Sequence, residues 1–214
     1  MSNILERIGE LRLVPMVVMD KAEHATPFGD ALVEGGLPVA EVTFRTPAAE
    51  AAIRALAKRG DLLVGAGTVL STEQADRAIG AGARFIVAPG TNPAVVEHVS
   101  MRGVTMCPGV ATPSEIELAM SLGITTMKFF PAETLGGVAM LKALAGPFPD
   151  VGFIPTGGIT PELLPNYLRL ASVVACGGSW LAPRNLLAEG KFDAIRRLVE
   201  EARKILAGPP PVAT

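Results

Sequence analysis

Lys128 stands inside the apolar run Ile124-Thr125-Thr126-Met127-Lys128-Phe129-Phe130, with Gly123 before it and Pro131 after it. A short run of this kind, bounded by turn formers, reads as a strand buried on both faces. A lysine is almost never fully buried there unless it is paired. Desolvation disfavours an ammonium against its free amine, and a free amine is what a Schiff-base nucleophile needs. The other reading is a strand-end lysine whose head snorkels into solvent. The run by itself leaves both open.

A second apolar run ends Glu41-Val42-Thr43-Phe44-Arg45-Thr46. With a period of two, Glu41, Thr43 and Arg45 share one face and Val42 and Phe44 the other. If the apolar pair meets a helical layer, a carboxylate and a guanidinium point inward. They form either a buried ion pair, which stabilises little after desolvation, or a proton-transfer carboxylate beside an arginine whose planar fork suits an α-keto acid. The stretch Gly65-Ala66-Gly67-Thr68-Val69-Leu70 offers glycines that let a ligand approach the backbone, and one hydroxyl; a tight turn explains it equally. Late in the chain come Thr156-Gly157-Gly158-Ile159 and Cys176-Gly177-Gly178-Ser179-Trp180. Paired glycines expose backbone N–H groups ahead of a helix N-terminus, a setting for phosphate. Two αL turns are the plainer alternative.

These residues fall at the ends of a recurring unit: an apolar strand, a polar or Gly/Pro turn, a helix, and a closing glycine. Strands are expected at 13–18, 39–44, 62–66, 84–88, 104–107, 124–129, 152–155 and 172–175. Helices should start near Lys21, Pro47, Thr72, Asn92, Thr112, Gly137, Thr160 and Lys191, after a short N-terminal helix over residues 2–10. Eight such units predict an α/β chain folded as a single-domain (β/α)8 TIM barrel, in which chemistry belongs at the C-terminal strand ends and phosphate after the last strands. An open doubly wound sheet competes, but no Gly-x-Gly-x-x-Gly turn follows the first strand. With no linker in evidence, residues 1–207 read as one domain and 208–214 as a disordered tail. His24 and His98 fall on expected helices and read as surface residues. Trp180 could pack as a lid.

Composition narrows the classes. The chain has 214 residues, 49% hydrophobic and 19% charged, enough for a large core and against global disorder. A net charge of −2 gives no electrostatic case for nucleic acid or an anionic membrane. No apolar run is long enough for a membrane span, and Glu6, Arg7, Glu10 and Arg12 argue against a signal peptide. Cys107 and Cys176 are isolated and read as buried thiols of a reducing cytoplasm. No His/Cys/Asp/Glu cluster has metal-ligand spacing, so no metal is expected.

Taken together, Glu41-Val42-Thr43-Phe44-Arg45-Thr46, Gly65-Ala66-Gly67-Thr68-Val69-Leu70, Lys128-Phe129-Phe130-Pro131-Ala132-Glu133, Ala145-Gly146-Pro147-Phe148, Pro155-Thr156-Gly157-Gly158-Ile159 and Gly177-Gly178-Ser179-Trp180 resemble the bacterial 2-keto-3-deoxy-6-phosphogluconate (KDPG) aldolase family, which includes 4-hydroxy-2-oxoglutarate aldolases. The likeness runs along nearly the whole chain. It implies a homotrimeric barrel, a class I aldolase without metal or other cofactor, and a small keto-acid phosphate as substrate. On the matching positions it implies Lys128 as Schiff-base lysine and Glu41 as acid/base. Arg45 and Thr68 would hold the carboxylate, Pro89, Phe130 and Thr156 would line the pocket, and Gly157, Gly158, Gly177, Gly178 and Ser179 would bind phosphate. Arg12, three residues before Pro15, would also lie near the phosphate. Rival expectations are the epimeric 2-keto-3-deoxy-6-phosphogalactonate as substrate, a sugar-phosphate epimerase or isomerase, and a non-catalytic phosphate-metabolite binding barrel.

Overall fold

The computed structural model describes residues 4–208. Helix α1 (Ile4–Leu11) buries Ile8 and Leu11 and leads into β1 (Leu13–Val17). Strands and helices then alternate through α2 (Ala25–Glu34), β2 (Val39–Thr43), α3 (Ala49–Ala57), β3 (Leu63–Gly67), α4 (Thr72–Gly80), β4 (Phe85–Val87), α5 (Pro93–Met101) and β5 (Thr105–Cys107). Across Pro108 comes β6 (Gly109–Val110), then α6 (Pro113–Ser121), β7 (Thr126–Phe129), α7 (Gly137–Ala145), β8 (Gly152–Pro155) and α8 (Leu164–Leu168). Strand β9 (Cys176–Gly178) and helices α9 (Arg184–Ala188) and α10 (Phe192–Leu206) complete the order. Of the expected tail, 208–214, only Gly208 lies within the described residues.

Local chemistry sets the helix starts. Ser71 accepts from the Gln74 amide ahead of α4, and Asn92 accepts from Ala94 ahead of the Pro93 that opens α5. Thr112 and Glu115 form a capping box around Pro113 at the start of α6. Gly123, at φ 79°, ends that helix and turns the chain into β7.

The strand pairings are parallel, so the C-terminal ends of neighbouring strands lie at one rim. One sheet has the order β5-β4-β3-β2-β1-β9 and the other β6-β7-β8. Parallel bridges at Phe153–Val173 and Thr156–Gly177 tie β8 to the segment of β9. The α/β class is therefore as expected, while the strands form two sheets and not one continuous eight-stranded ladder. Pro108, which has no N–H to give, falls where β5 stops and β6 begins. Gly109 and Val110, just past the strand expected to end at Cys107, are strand as well.

Three more expectations shift. The strand expected at 172–175 lies instead at Cys176–Gly178, because pairing with Leu13–Pro15 overrides the low strand propensity of two glycines. The helix expected from Thr160 is only Leu164–Leu168, with Pro165 in its first turn; a longer helix would have carried that proline in its interior. Helix α9 was not expected at all.

The core lies between strands and helices. Every residue of Val39–Thr43 is buried, as is every residue of Thr126–Phe129. Gly65 shows how tightly the layers fit: a Cβ there would stand 2.2 Å from the Phe85 ring. Gly65→Ala should cost about 1–3 kcal/mol by overpacking. Thermal unfolding should show Tm falling by roughly 2–4 °C per kcal/mol, with partial recovery when Phe85→Leu is added. An unchanged Tm would contradict the close contact.

Candidate active site

Strand β7 pairs through Lys128 with Gly109 on one side and Ile154 on the other. Alternation puts Lys128 on the opposite face from Met127 and Phe129. Glu41, on β2, pairs with Met16 and Gly65 in the other sheet. The two side chains meet across the interior: Lys128 Nζ donates to Glu41 Oε1 at 3.3 Å. Lys128 is 5% exposed and Glu41 4%, so neither snorkels into solvent. Phe130 lies beneath the same nitrogen, with its ring centroid 5.3 Å away. Cys107, Thr156, Phe85, Val14 and Ile8 line one cavity with the pair.

Gly67 makes this geometry feasible. A Cβ there would come within 2.1 Å of Glu41 Oε1. The space over Gly67 is thus occupied by the carboxylate of this chain, where the sequence suggested room for a ligand. Gly177 plays the same part for Thr156, whose Oγ1 would stand 2.3 Å from an added Cβ.

The other expected residues divide into those at the rim and those elsewhere. Thr43 ends β2 and donates to the Val17 carbonyl at 3.1 Å. Arg45 lies beyond the strand end and is exposed, so the expected inward row Glu41, Thr43, Arg45 stops short of its last member. Thr68 follows β3 at φ 57°, a left-handed conformation unusual for a β-branched residue. Pro89 abuts the start of β6, where a Cβ on Gly109 would lie 2.1 Å from its carbonyl oxygen.

Gly157 and Gly158 form a turn at φ 105° and 80°. This turn is stitched to the segment after Lys128: Ala132 N–H donates to Thr156 O at 2.9 Å, and Glu133 N–H to Gly157 O at 3.1 Å. Gly177 and Gly178 are extended members of β9, paired with Val14 and Pro15, and not a loop after the strand. Exposed Ser179 opens the turn that follows. The helix N-terminus expected directly behind Gly158 is absent, because α8 begins only at Leu164. Trp180 is half-buried, with its Nε1 enclosed.

Arg12 is misplaced by the expectation. It precedes β1, at the end of the strands opposite the Gly157–Gly158 turn, and its guanidinium donates to the Leu168 carbonyl at 2.8 Å. Its role is to cap the end of α8. Cys107 was read only as a core thiol; the signal that could have placed it in the cavity is its position two residues before Gly109, the β6 residue that pairs with Lys128. Among the described residues no three His, Cys, Asp or Glu side chains gather as a metal site, and no helix is long and apolar enough to cross a membrane.

The family described as "Aldolase: KDPG and KHG aldolase" matches residues 4–198. This chain belongs to the KDPG and KHG aldolase family. Among similar members, the 2-dehydro-3-deoxy-phosphogluconate aldolase of Treponema pallidum is 46% identical over 207 residues, 96% of this chain and 99% of that one. The 2-keto-3-deoxy-6-phosphogluconate aldolase of Zymomonas mobilis, solved with 3-phosphoglycerate, has a TM-score of 0.88 and 39% identity, covering 92% of this chain and 94% of that one. The KDPG aldolase of Legionella pneumophila, solved with pyruvate captured as a covalent carbinolamine, has a TM-score of 0.87 and 37% identity, covering 91% and 97%.

Both cysteines of this KDPG/KHG aldolase family member are free and buried. Burial, helped by the nearby Glu41 charge and opposed by Lys128, pushes the Cys107 thiol up to about 12. Burial likewise pushes Cys176 up. Both shifts favour the thiol, so at pH 8 both groups are protonated as well as enclosed. An aromatic disulfide reagent at pH 8 should titrate neither thiol in the folded protein and both after unfolding. A fast-reacting thiol in the folded state would contradict the placement.

Proposed function

We propose that this chain is a class I aldolase that cleaves 2-keto-3-deoxy-6-phosphogluconate to pyruvate and glyceraldehyde 3-phosphate, and 4-hydroxy-2-oxoglutarate to pyruvate and glyoxylate. The observation that carries this reading is the buried contact between Lys128 Nζ and Glu41 Oε1. A carboxylate 3.3 Å from an amine, in a buried cavity, is placed to move the protons that imine chemistry requires.

In this mechanism Glu41 takes a proton from Lys128, and the free amine attacks the C2 ketone to give a carbinolamine. The same carboxyl returns a proton to the carbinolamine oxygen as water leaves, forming a protonated imine. Loss of the C4 hydroxyl proton to Glu41, directly or through water, drives cleavage of C3–C4, and the bonding pair flows into the iminium to give an enamine. Glyceraldehyde 3-phosphate departs. Protonation of the enamine at C3 and hydrolysis then release pyruvate and restore the amine. The carbinolamine on pyruvate in the Legionella aldolase supports the first step.

Thr68 and Arg45, at the rim above the pair, hold the substrate carboxylate. The left-handed backbone of Thr68 supports its part, since such strain gathers at functional positions. Arg45, exposed beyond β2, acts on the carboxylate alone. Pro89, Phe130 and Thr156 shape the pocket. Gly157, Gly158, Gly177, Gly178 and Ser179 receive the phosphate, and binding of both substrate ends supplies orientation. We also read the two sheets as one (β/α)8 barrel, one domain over residues 1–207. The protein on this reading is a cytoplasmic homotrimer, for which the exposed Leu118 and Met120 on α6 offer apolar surface.

Lys128→Ala should abolish adduct formation with pyruvate and borohydride, read by mass spectrometry; an adduct that persists moves the nucleophile elsewhere. Glu41→Gln should lower kcat by about 10²–10⁴-fold, the range for a lost general acid–base, with pyruvate binding little changed. Equal damage to both would indicate a purely structural carboxylate. Ser179→Ala should raise KM for the phosphorylated substrate about tenfold, the order of one charge-assisted hydrogen bond, while leaving 4-hydroxy-2-oxoglutarate unaffected.

A further inference from the structure

Glu133 closes the motif that begins at Lys128, yet the reaction above gives it no task. Its carboxylate accepts a hydrogen bond from the hydroxyl of Tyr167 on α8. Tyr167 is fully buried. Burial, together with the Glu133 carboxylate, pushes the phenol up, so its hydroxyl stays protonated as a donor.

Two glycines make room for this contact. A Cβ on Gly158 would stand 2.7 Å from Glu133 Cβ, and one on Gly137 would stand 2.7 Å from Glu133 Oε1 and 2.9 Å from the Tyr167 hydroxyl. The Glu133 backbone also donates to Gly157 O, as Ala132 does to Thr156 O. The stretch after Lys128, the turn at Gly157–Gly158, the start of α7 and the buried face of α8 therefore converge on one side chain.

We propose that Glu133, anchored by Tyr167, is a positioning residue that fixes the Gly157–Gly158 turn against the segment following Lys128, and so sets the span between the ketone-binding and phosphate-binding ends of the site. The proposal rests on the aldolase reading, and on that turn receiving phosphate. Glu133 touches no reacting atom. It holds two binding elements in register, so that a substrate gripped at its phosphate presents C2 to the amine. A substrate without phosphate does not use the second grip and is indifferent to the register.

Steady-state kinetics with KDPG and 4-hydroxy-2-oxoglutarate test this. Tyr167→Phe keeps the ring and removes only the donor; Glu133→Ala removes the acceptor; Glu133→Gln keeps an acceptor oxygen. Tyr167→Phe and Glu133→Ala should each raise KM for KDPG about tenfold, the order of one buried hydrogen bond to a charged group. The KM for 4-hydroxy-2-oxoglutarate should stay near its starting value, and Glu133→Gln should restore most of the KDPG affinity. Unchanged KDPG kinetics in Tyr167→Phe, or equal losses on both substrates, would overturn the proposal. Ser179→Ala, run alongside, separates the two levels. If it also fails to distinguish the substrates, the phosphate reading falls and takes the proposal with it. If it distinguishes them and Tyr167→Phe does not, only the coupling through Glu133 is wrong.

Discussion

Two opposite charges held 3.3 Å apart and almost out of reach of solvent constrain the rest of this structure. At an effective dielectric near 20 their attraction is on the order of 5 kcal/mol. Desolvation costs several kcal/mol for each ion, so the pair comes close to breaking even. It cannot be explained as a source of stability. What it does impose is a pairing constraint: with either partner removed, the other is left without its partner in a cavity walled by Ile8, Val14 and Phe85. The neighbours obey that demand. Gly67 gives up a side chain so that the carboxylate fits, and Gly177 does the same for the adjoining Thr156.

The pair also joins the two sheets. Glu41 belongs to the six-stranded sheet and Lys128 to the three-stranded one. Their contact spans the interior between the sheets, while the bridges Phe153–Val173 and Thr156–Gly177 close the β8–β9 side and Pro108 marks the break on the β5–β6 side. Chemistry and architecture meet at the same atoms. The amine is oriented by strand pairing on both sides, through Gly109 and Ile154, and not by a loop.

Much of this was legible in the sequence, for reasons that can be named. The apolar run around Lys128 marked a strand, though it left open whether the lysine was buried or reached solvent. Glu41 was legible in the same way. The helix starts expected near Thr72, Asn92 and Thr112 were legible because Ser71, Asn92 and Thr112 each accept from a backbone N–H a few residues on, a local event. The inward direction expected of Arg45 failed because alternation was carried past the end of β2, where the chain turns. The glycines of β9 were misjudged because their conformation is set by pairing with β1, a partner more than 150 residues earlier, and not by anything in Gly-Gly itself. Glu133 and Tyr167 left no sign of meeting, since their contact depends on how α8 lies, and Pro165 had disguised where α8 begins.

Arg12 carries the most general point. The family resemblance alone assigned it to the phosphate end; the strand that follows it does reach that end, where Pro15 pairs with Gly178. In a parallel sheet, however, the two ends of a strand do different work: the C-terminal rim gathers reacting groups and the N-terminal rim holds the structure together. Three residues of strand rise about 10 Å, enough to pass from one rim to the other. Arg12 therefore joins Ile8 and Leu168 in closing the base of the fold, its guanidinium bound to a helix-end carbonyl. A strand residue's role follows from which end it occupies, and that is fixed by direction along the strand before any question of residue type arises.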